Sequence, residues 1–215
     1  MGSARPSQRA MVIGAGSVFI TELATGGSFG LAGLDADSGQ ELWRASVGSV
    51  DSTVQRYQAD GENIIAALEG GPAGGQLRLT GRLPITGRLR WTTPYLPLGE
   101  AGLPSTAIAA AGHRVFQASS SGVLTAIDAR TGDTSWTAPF PSPGALFPPR
   151  LTADHNAVAV RHGDQLSVFH AATGAPLWST RLNSGADPET TPAIGANRIL
   201  VPRSSSPCMP PSGGG

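Results

Sequence analysis

The chain has 215 residues, of which 40% are hydrophobic and 14% are charged, and its formal net charge at pH 7 is zero. The hydrophobic share is enough to build a packed core, and it excludes a disordered chain. With 29 Gly and 18 Pro, the chain needs short elements and many turns, which favours an all-β domain over a helical one.

The charged residues give no sign of a nucleic-acid partner. All fifteen basic residues are Arg, and fifteen Asp and Glu balance them. Only Arg78, Arg82, Arg88 and Arg90 are clustered in sequence, so a basic face that tracks phosphates is not indicated. No apolar run approaches the roughly eighteen residues that span a bilayer. The single Cys208 excludes an intrachain disulfide.

The N-terminal segment has two interpretations. Two arginines precede the apolar run 10–20, an arrangement similar to a weak signal peptide. The run also fits a β-hairpin, because Gly16-Ser17-Val18-Phe19 returns as Gly112-His113-Arg114-Val115-Phe116 in mid-chain, where no signal peptide can be. We favour the hairpin, and we treat residues 1–10 as an N-terminal tail.

Short alternating apolar runs, separated by turn residues, follow one another along the chain and predict half-buried β-strands. Each run is much shorter than a typical helix, so we expect almost no helix. In chain order, the runs are Val18-Phe19-Ile20, Leu31–Asp35, Asn63–Leu68, Val115-Phe116-Gln117, Val123–Asp128, Ala157–Val160, Gln165–His170 and Ile199-Leu200-Val201.

A fixed motif precedes every tryptophan. Trp43, Trp91, Trp136 and Trp178 are spaced 48, 45 and 42 residues apart. Each closes a Ser/Thr-Gly-x-x-x-Trp unit, and the four pairs are Ser38-Gly39, Thr86-Gly87, Thr131-Gly132 and Thr173-Gly174. A period near 45 with about four short strands per copy is typical of a propeller blade.

The residue types of the motif fit a tight turn between two antiparallel strands. The Asp128 carboxylate can accept hydrogen bonds from N–H groups two or three residues further on, and the Thr131 hydroxyl can add another. Gly132 supplies the positive φ that such a turn requires. We predict Trp136 on the outermost strand, where its indole covers the sheet edge and its N–H reaches a carbonyl of the next blade. The same structural role is expected of all four tryptophans, rather than the stacking of a quinone or a sugar.

The pattern Ala-x-Asp-x-x-Thr-Gly-x-x-x-Trp resembles the tryptophan-docking motif of the pyrroloquinoline-quinone-like (PQQ-like) repeat propellers. The third copy, Ala126–Gly132, matches it in full, and the first, Gly33–Gly39, differs by Gly for Ala and Ser for Thr. In the second and fourth copies, Leu83 and His170 replace the Asp. In those two turns we expect the Thr-Gly pair to hold the corner alone.

The resemblance implies an all-β chain of four β-propeller blades within residues 11–202, with a partial fifth blade from about residue 190. Closed propellers of this family are similar in having seven or eight blades. We therefore expect an open arc, which is a fragment, a truncated product or a half-ring completed by another chain. Residues 203–215 have the Ser/Pro/Gly composition of a disordered tail. The open edges should favour self-association.

The family leaves the function open, because it includes quinoprotein alcohol dehydrogenases, an outer-membrane assembly lipoprotein and sensor domains of bacterial Ser/Thr kinases. It implies an extracytoplasmic location. A dehydrogenase of this family needs PQQ, Ca²⁺ and a catalytic Asp, and adjacent cysteines pack on its quinone. Asp35, Asp37 and Gly39 superficially resemble a Ca²⁺ loop but lack its later ligands, so we interpret them as the first blade turn.

The remaining candidates for chemistry are the four histidines, which are His113, His155, His162 and His170. None forms a metal pair, and we expect each at the surface or in a turn. We identify no catalytic, cofactor-binding or metal-binding residue. The favoured hypothesis is a non-catalytic propeller that binds or scaffolds a protein or carbohydrate partner and has no cofactor. The alternative is a fragment or remnant of a PQQ-dependent dehydrogenase, with PQQ and calcium as cofactors.

Overall fold

The computed structural model describes residues 11–14, 16–23, 29–48, 57–59, 65–70, 76–94, 96–97, 106–142, 148–182, 190–195 and 198–202. The two expected tails, 1–10 and 203–215, lie outside these residues. The described residues form strands and turns, and no helix occurs among them. The prediction of an all-β chain is therefore confirmed.

The strands form successive antiparallel sheets, each ordered as in the chain. The first sheet contains β1 (Met11–Gly14), β2 (Ser17–Leu23), β3 (Phe29–Asp35) and β4 (Glu41–Gly48). The second contains β5 (Tyr57–Ala59), β6 (Ile65–Gly70), β7 (Gln76–Arg82) and β8 (Leu89–Thr92), and the short β9 (Leu96–Pro97) also pairs with β7.

The third sheet contains β10 (Thr106–Ala111), β11 (Arg114–Ser119), β12 (Val123–Asp128) and β13 (Thr134–Pro139). The fourth contains β14 (Arg150–Ala153), β15 (Ala157–His162), β16 (Gln165–His170) and β17 (Pro176–Arg181). A hairpin of β18 (Ala193–Gly195) and β19 (Arg198–Leu200) follows. We call the four-strand units blades 1 to 4, and the hairpin is the partial fifth.

The blades are arranged side by side around their first strands. Each first strand contacts the first strand of the next blade, in the order β1, β5, β10, β14 and β18. Among the described strands, β18 makes no extensive contact with β1. The molecule is thus a partial propeller, in which the first strands are innermost and the fourth strands are outermost.

The hydrophobic core lies between blades, because successive side chains of a strand point to opposite faces of its sheet. On β11, Val115 packs toward Leu79 and Trp91 of blade 2, whereas its neighbour Phe116 packs toward Val158 of blade 4. The side chains of Val115 and Phe116 are both fully buried. Blade 3 therefore depends on both of its neighbours for the burial of its apolar residues.

The far face of blade 4 is covered only in part. Ile194 and Ile199 of the hairpin pack on Ala159, Leu166 and Val168. Farther out, all six residues of β17 are exposed.

Candidate functional site

The turn between the third and fourth strands has the same backbone geometry in all four blades. Its glycine has a positive φ, between 64° and 82°, at Gly39, Gly87, Gly132 and Gly174. The N–H of each glycine donates to the carbonyl four residues earlier, at 2.8–2.9 Å. This closed turn brings the chain back as the fourth strand, which carries the tryptophan.

In blade 3, an aspartate and a threonine support this turn. The Asp128 carboxylate accepts hydrogen bonds from the N–H groups of Arg130 at 2.7 Å and Thr131 at 3.1 Å. The Thr131 hydroxyl accepts one from the N–H of Asp133 at 3.2 Å. The side chains therefore satisfy backbone donors that would otherwise face solvent.

Blade 1 uses Asp35 in the same way. Its carboxylate accepts hydrogen bonds from the Ser38 hydroxyl at 2.7 Å, the Ser38 N–H at 2.8 Å and the Asp37 N–H at 3.2 Å. The Ser38 hydroxyl bond is the largest cause of a lowered pKa at Asp35, and the two N–H bonds add to it. The Asp35 carboxylate is thus occupied within its own turn.

The two turns without aspartate differ from each other. In blade 2, the Leu83 side chain has no hydrogen-bond acceptor, and the Thr86 hydroxyl accepts the N–H of Arg88 at 3.4 Å. In blade 4, the His170 Nδ1 accepts the N–H of Ala172 at 3.2 Å, as an aspartate oxygen does elsewhere. The expectation that Thr173 and Gly174 hold this corner alone was therefore wrong, because an imidazole nitrogen supplies the acceptor.

Each docked tryptophan reaches across to the turn of the next blade. Trp91 Nε1 donates to the carbonyl of Ala129 at 2.9 Å, and Trp136 Nε1 donates to that of Ala171 at 3.2 Å. Trp43 Nε1 donates in the same manner to Pro84. The three acceptors occupy one equivalent position, the residue after the Asp, His or Leu at the turn entrance.

The glycine of the next turn also provides the surface on which the indole lies. A Cβ atom built on Gly87, Gly132 or Gly174 would approach the indole of the preceding blade closer than 3.0 Å. The indoles concerned belong to Trp43, Trp91 and Trp136, respectively. The glycine is thus required twice, once for its φ and once for the contact.

The opposite side of the indole faces its own blade. The residue paired with the tryptophan on the third strand is Gly33 in blade 1 and Gly81 in blade 2, and an added Cβ at either would also collide with the indole. In blade 3 the paired residue is Ala126. Gly33, which departs from the motif by replacing its Ala, forms one wall of the docking site.

A β-bulge precedes every tryptophan, and the motif does not predict it. The register of the third and fourth strands shifts by one residue at this point in each blade. The residues left unpaired are Leu42, Arg90, Ser135 and Leu177. They share no chemical property, so no residue pattern could have revealed the bulge, which turns the indole toward the neighbouring blade.

The first and fourth blades each carry half of a docking contact. Within the described residues, nothing lies within 4 Å of a Cβ built on Gly39. At the other end, Trp178 is 46% exposed, whereas Trp43 and Trp91 are buried. The same inter-blade role was expected of all four tryptophans, but no described turn of a following blade lies against Trp178.

The histidines also differ in part from expectation. His113, His155 and His170 are exposed. His162 is buried at 1% exposure on β15, where its ring lies edge-on to Phe140 with the ring centroids 6.1 Å apart. Within the described ranges, no group of three or more His, Cys, Asp or Glu could hold a metal ion. These ranges also contain no helix long and apolar enough to cross a membrane.

Comparison with known families identifies one match. The family model described as outer membrane protein assembly factor BamB matches residues 3–145 and 86–206, which together cover most of the chain. No curated protein matches the sequence.

Several solved structures share the fold. BamB from Moraxella catarrhalis aligns with 93% of this chain at 15% identity and a TM-score of 0.61. The computationally designed Ika8 protein aligns with 89% at 15% identity and a TM-score of 0.60. A europium-containing methanol dehydrogenase aligns with 82% at 14% identity and a TM-score of 0.55. The alignments span 59%, 54% and 42% of those chains, respectively.

Proposed function

Because this chain belongs to the PQQ-like β-propeller repeat family, with a match to the model described as outer membrane protein assembly factor BamB, we propose that it is a non-catalytic scaffold that binds a protein partner. The description as an outer membrane protein assembly factor favours a protein rather than a carbohydrate as the binding partner. It also favours a location outside the cytoplasm. Fold alone does not assign a function, so the proposal depends on what the surface offers.

The observation that supports this proposal is that the motif side chains are hydrogen-bonded or packed within the scaffold itself. Asp35 and Asp128 are bonded within their own turns, and the docked indoles lie between blades. These polar and aromatic groups hold the scaffold together and are not available to a substrate. The outer rim is one surface that the scaffold leaves exposed.

The outer rim consists of the fourth strands, which pair on one side only in the described sheets. Leu42 of β4 and Leu89 of β8 are 41% and 42% exposed on this rim. A free strand edge can bind an extended segment of another protein through backbone hydrogen bonds, and exposed apolar side chains beside it add affinity. The rim therefore suits an extended, β-forming partner such as an outer-membrane protein chain before it folds.

The test uses a fluorescently labelled outer-membrane porin chain, diluted from urea into the purified protein. We expect saturable binding by fluorescence anisotropy, weakened about tenfold or more, roughly 1.4 kcal/mol or more, when Leu42→Asp and Leu89→Asp are combined. The matched control is Ile85→Asp, since Ile85 is 70% exposed in a turn rather than on the rim. Equal affinity in the double variant and the control would refute the rim as the binding surface.

The alternative function, a remnant of a PQQ-dependent dehydrogenase, draws on the shared fold with the methanol dehydrogenase. It requires a site for PQQ and Ca²⁺. Incubation of the protein with both, followed by gel filtration and an absorption spectrum, separates the two functions. Co-elution of the quinone with the protein, together with alcohol-dependent dye reduction, would establish the alternative.

A further inference from the structure

The segment from the turn entrance to the bulge differs in charge from blade to blade. It covers residues 35–42, 83–90, 128–135 and 170–177 in blades 1 to 4. Its charged residues are Asp35, Asp37 and Glu41 in blade 1, Arg88 and Arg90 in blade 2, and Asp128, Arg130 and Asp133 in blade 3. The segment of blade 2 is thus the only one of the four with a net positive charge.

In blade 2, the arginines lie close in sequence to an exposed isoleucine in the turn. Ile85 is 70% exposed, more than any other large hydrophobic residue that the structure describes. Arg88 and Arg90 are also exposed. The Arg82 Nη1 donates to the carbonyl of Gly87 at 3.1 Å, which holds its guanidinium at the same turn. We call Arg82, Ile85, Arg88 and Arg90 the blade 2 patch.

The turn itself does not require these exposed side chains. The glycine N–H closes it in all four blades, although the residues in the place of Ile85 are Asp37, Arg130 and Ala172. Within the described part of the chain, the guanidinium groups of Arg88 and Arg90 make no hydrogen bond or ion pair. The isoleucine and the two arginines are therefore available to a ligand.

We propose that the blade 2 patch attaches this protein to an anionic lipid surface. Ile85 enters the boundary between headgroups and acyl chains, and the arginines bind the lipid phosphates. Guanidinium groups bind phosphate oxygens in pairs, and each basic side chain at an anionic membrane contributes about 1 kcal/mol. The long arginine side chains keep their charges in the headgroup region while the apolar residue is buried. This inference goes beyond the proposed function and does not depend on it.

The size of the patch favours a lipid surface over a protein or a nucleic acid. A stable protein interface takes about 20 to 30 residues from each partner, far more than the patch contains. Tight nucleic-acid binding involves about six to ten phosphate contacts, and the patch has only three arginines. A bilayer requires no matching shape, because its lipids rearrange around a protruding side chain.

The experiment measures flotation of the 215-residue chain with lipid vesicles in a density gradient. The vesicles contain phosphatidylcholine alone or together with about one third phosphatidylglycerol, which makes the surface anionic. The wild type should float with the anionic vesicles and should not float with phosphatidylcholine alone. Salt at about 0.5 M should release it, because it screens the charges.

Substitutions separate the two parts of the patch. Arg88→Gln combined with Arg90→Gln should weaken partitioning about tenfold or more. Ile85→Ser keeps the charge and should weaken it about fivefold or more, because no apolar side chain enters the membrane. The matched control combines Arg130→Gln with Arg198→Gln. It lowers the net charge equally at exposed positions outside the patch, and it should float like the wild type.

A fluorescent label shows whether position 85 enters the membrane. An environment-sensitive dye is attached to Ile85→Cys or, as the control, to Ala172→Cys at the equivalent exposed position of blade 4. Both proteins carry Cys208→Ser, so that only one thiol reacts. Anionic vesicles should shift the emission to shorter wavelength at position 85 and leave it unchanged at position 172.

Three outcomes would overturn the proposal, once far-UV circular dichroism has verified that the proteins are folded. The first is a wild type that does not float with anionic vesicles. The second is an equal loss of flotation in the Arg88 and Arg90 variant and in its charge-matched control, which would indicate attraction without a defined patch. The third is binding of a labelled polyglutamate peptide through Arg88 and Arg90 without vesicle binding, which would assign the patch to an acidic protein.

Discussion

At the scale of single residues, the glycine of each turn meets two separate requirements. Its positive φ belongs to a region that other L-residues rarely adopt. Its missing Cβ leaves room for the indole of the preceding blade. The two requirements can be separated experimentally, because Gly39 has the same backbone conformation as Gly132 but no indole against it.

Gly132→Ala should therefore lower the free energy of unfolding more than Gly39→Ala does. Alanine at Gly39 suffers only the left-handed backbone conformation, worth about 1–2 kcal/mol. Alanine at Gly132 also collides with Trp91, which adds about 1–3 kcal/mol, as overpacking does. Urea denaturation of both variants measures the difference, and equal losses would show that the indole adapts freely.

The carboxylate of Asp35 makes the first turn sensitive to acid. The Ser38 hydroxyl, and then the N–H groups of Ser38 and Asp37, lower its pKa from the ordinary 3.8. A lowered folded-state pKa contributes stability above the unfolded-state pKa, and this contribution is lost as the pH falls through the folded-state value. The difference in stability between wild type and Asp35→Asn should thus be constant above about pH 5 and shrink below about pH 4.

Carboxyl NMR titration tests the cause directly. In Ser38→Ala the hydroxyl donor is gone, so the pKa of Asp35 should move back toward its ordinary value. A pKa that stays unchanged in this variant would contradict the assignment.

At the scale of the elements, the turn and the bulge behind it act as one device in every blade. The turn reverses the chain, and the bulge then directs the tryptophan toward the neighbouring blade. Turn residues are restricted by φ and by side-chain acceptors, which is why the turn was predictable. The unpaired residue of the bulge is not restricted in this way, since Leu42, Arg90 and Ser135 all occupy that position.

An aspartate in place of His170 should stabilise the turn of blade 4. His170 accepts one N–H through its imidazole, whereas Asp128 accepts two through a charged oxygen. His170→Asp should therefore stabilise the protein by about 0.5–1.5 kcal/mol, and His170→Ala should destabilise it by a similar amount. Thermal and urea denaturation of the two variants show whether each is more or less stable than the wild type. Equal stability of His170→Asp and His170→Ala would argue against the acceptor role of His170.

At the scale of the whole molecule, stability is the sum of contacts between neighbouring blades, as in other repeat proteins. Blade 3 buries residues against blades 2 and 4. Blade 4 has a complete neighbour on one side and a two-stranded hairpin on the other. The stability that is lost when a tryptophan is replaced should consequently depend on the position of its blade in the arc.

Trp91→Ala should destabilise the protein by about 3–5 kcal/mol, the usual range for a buried aromatic residue. Trp178→Ala should lower the free energy of unfolding by about half as much, roughly 2 kcal/mol, because nearly half of the Trp178 surface is already in water. Denaturation of both variants measures this comparison. Equal losses would mean that Trp178 is covered in solution by some part of the chain.

The spacing of four tryptophans was enough to predict blades, turns and the direction of docking, because each residue of that motif has a narrow structural role. Other features depend on contacts made far along the chain. Gly81 is required only because an indole lies over it, and Ala126 holds the equivalent place in blade 3. The burial of His162 depends on Phe140 and on the packing of blade 4, which no local pattern contains.

The exposed outer strand of blade 4 has a consequence for local opening. All six residues of β17 are exposed, and in the described sheet it pairs only with β16. Amide hydrogens held by few buried contacts exchange through small openings rather than through global unfolding. In deuterium exchange, the amides of β17 should lose protection first and those of β11, which is buried on both faces, last.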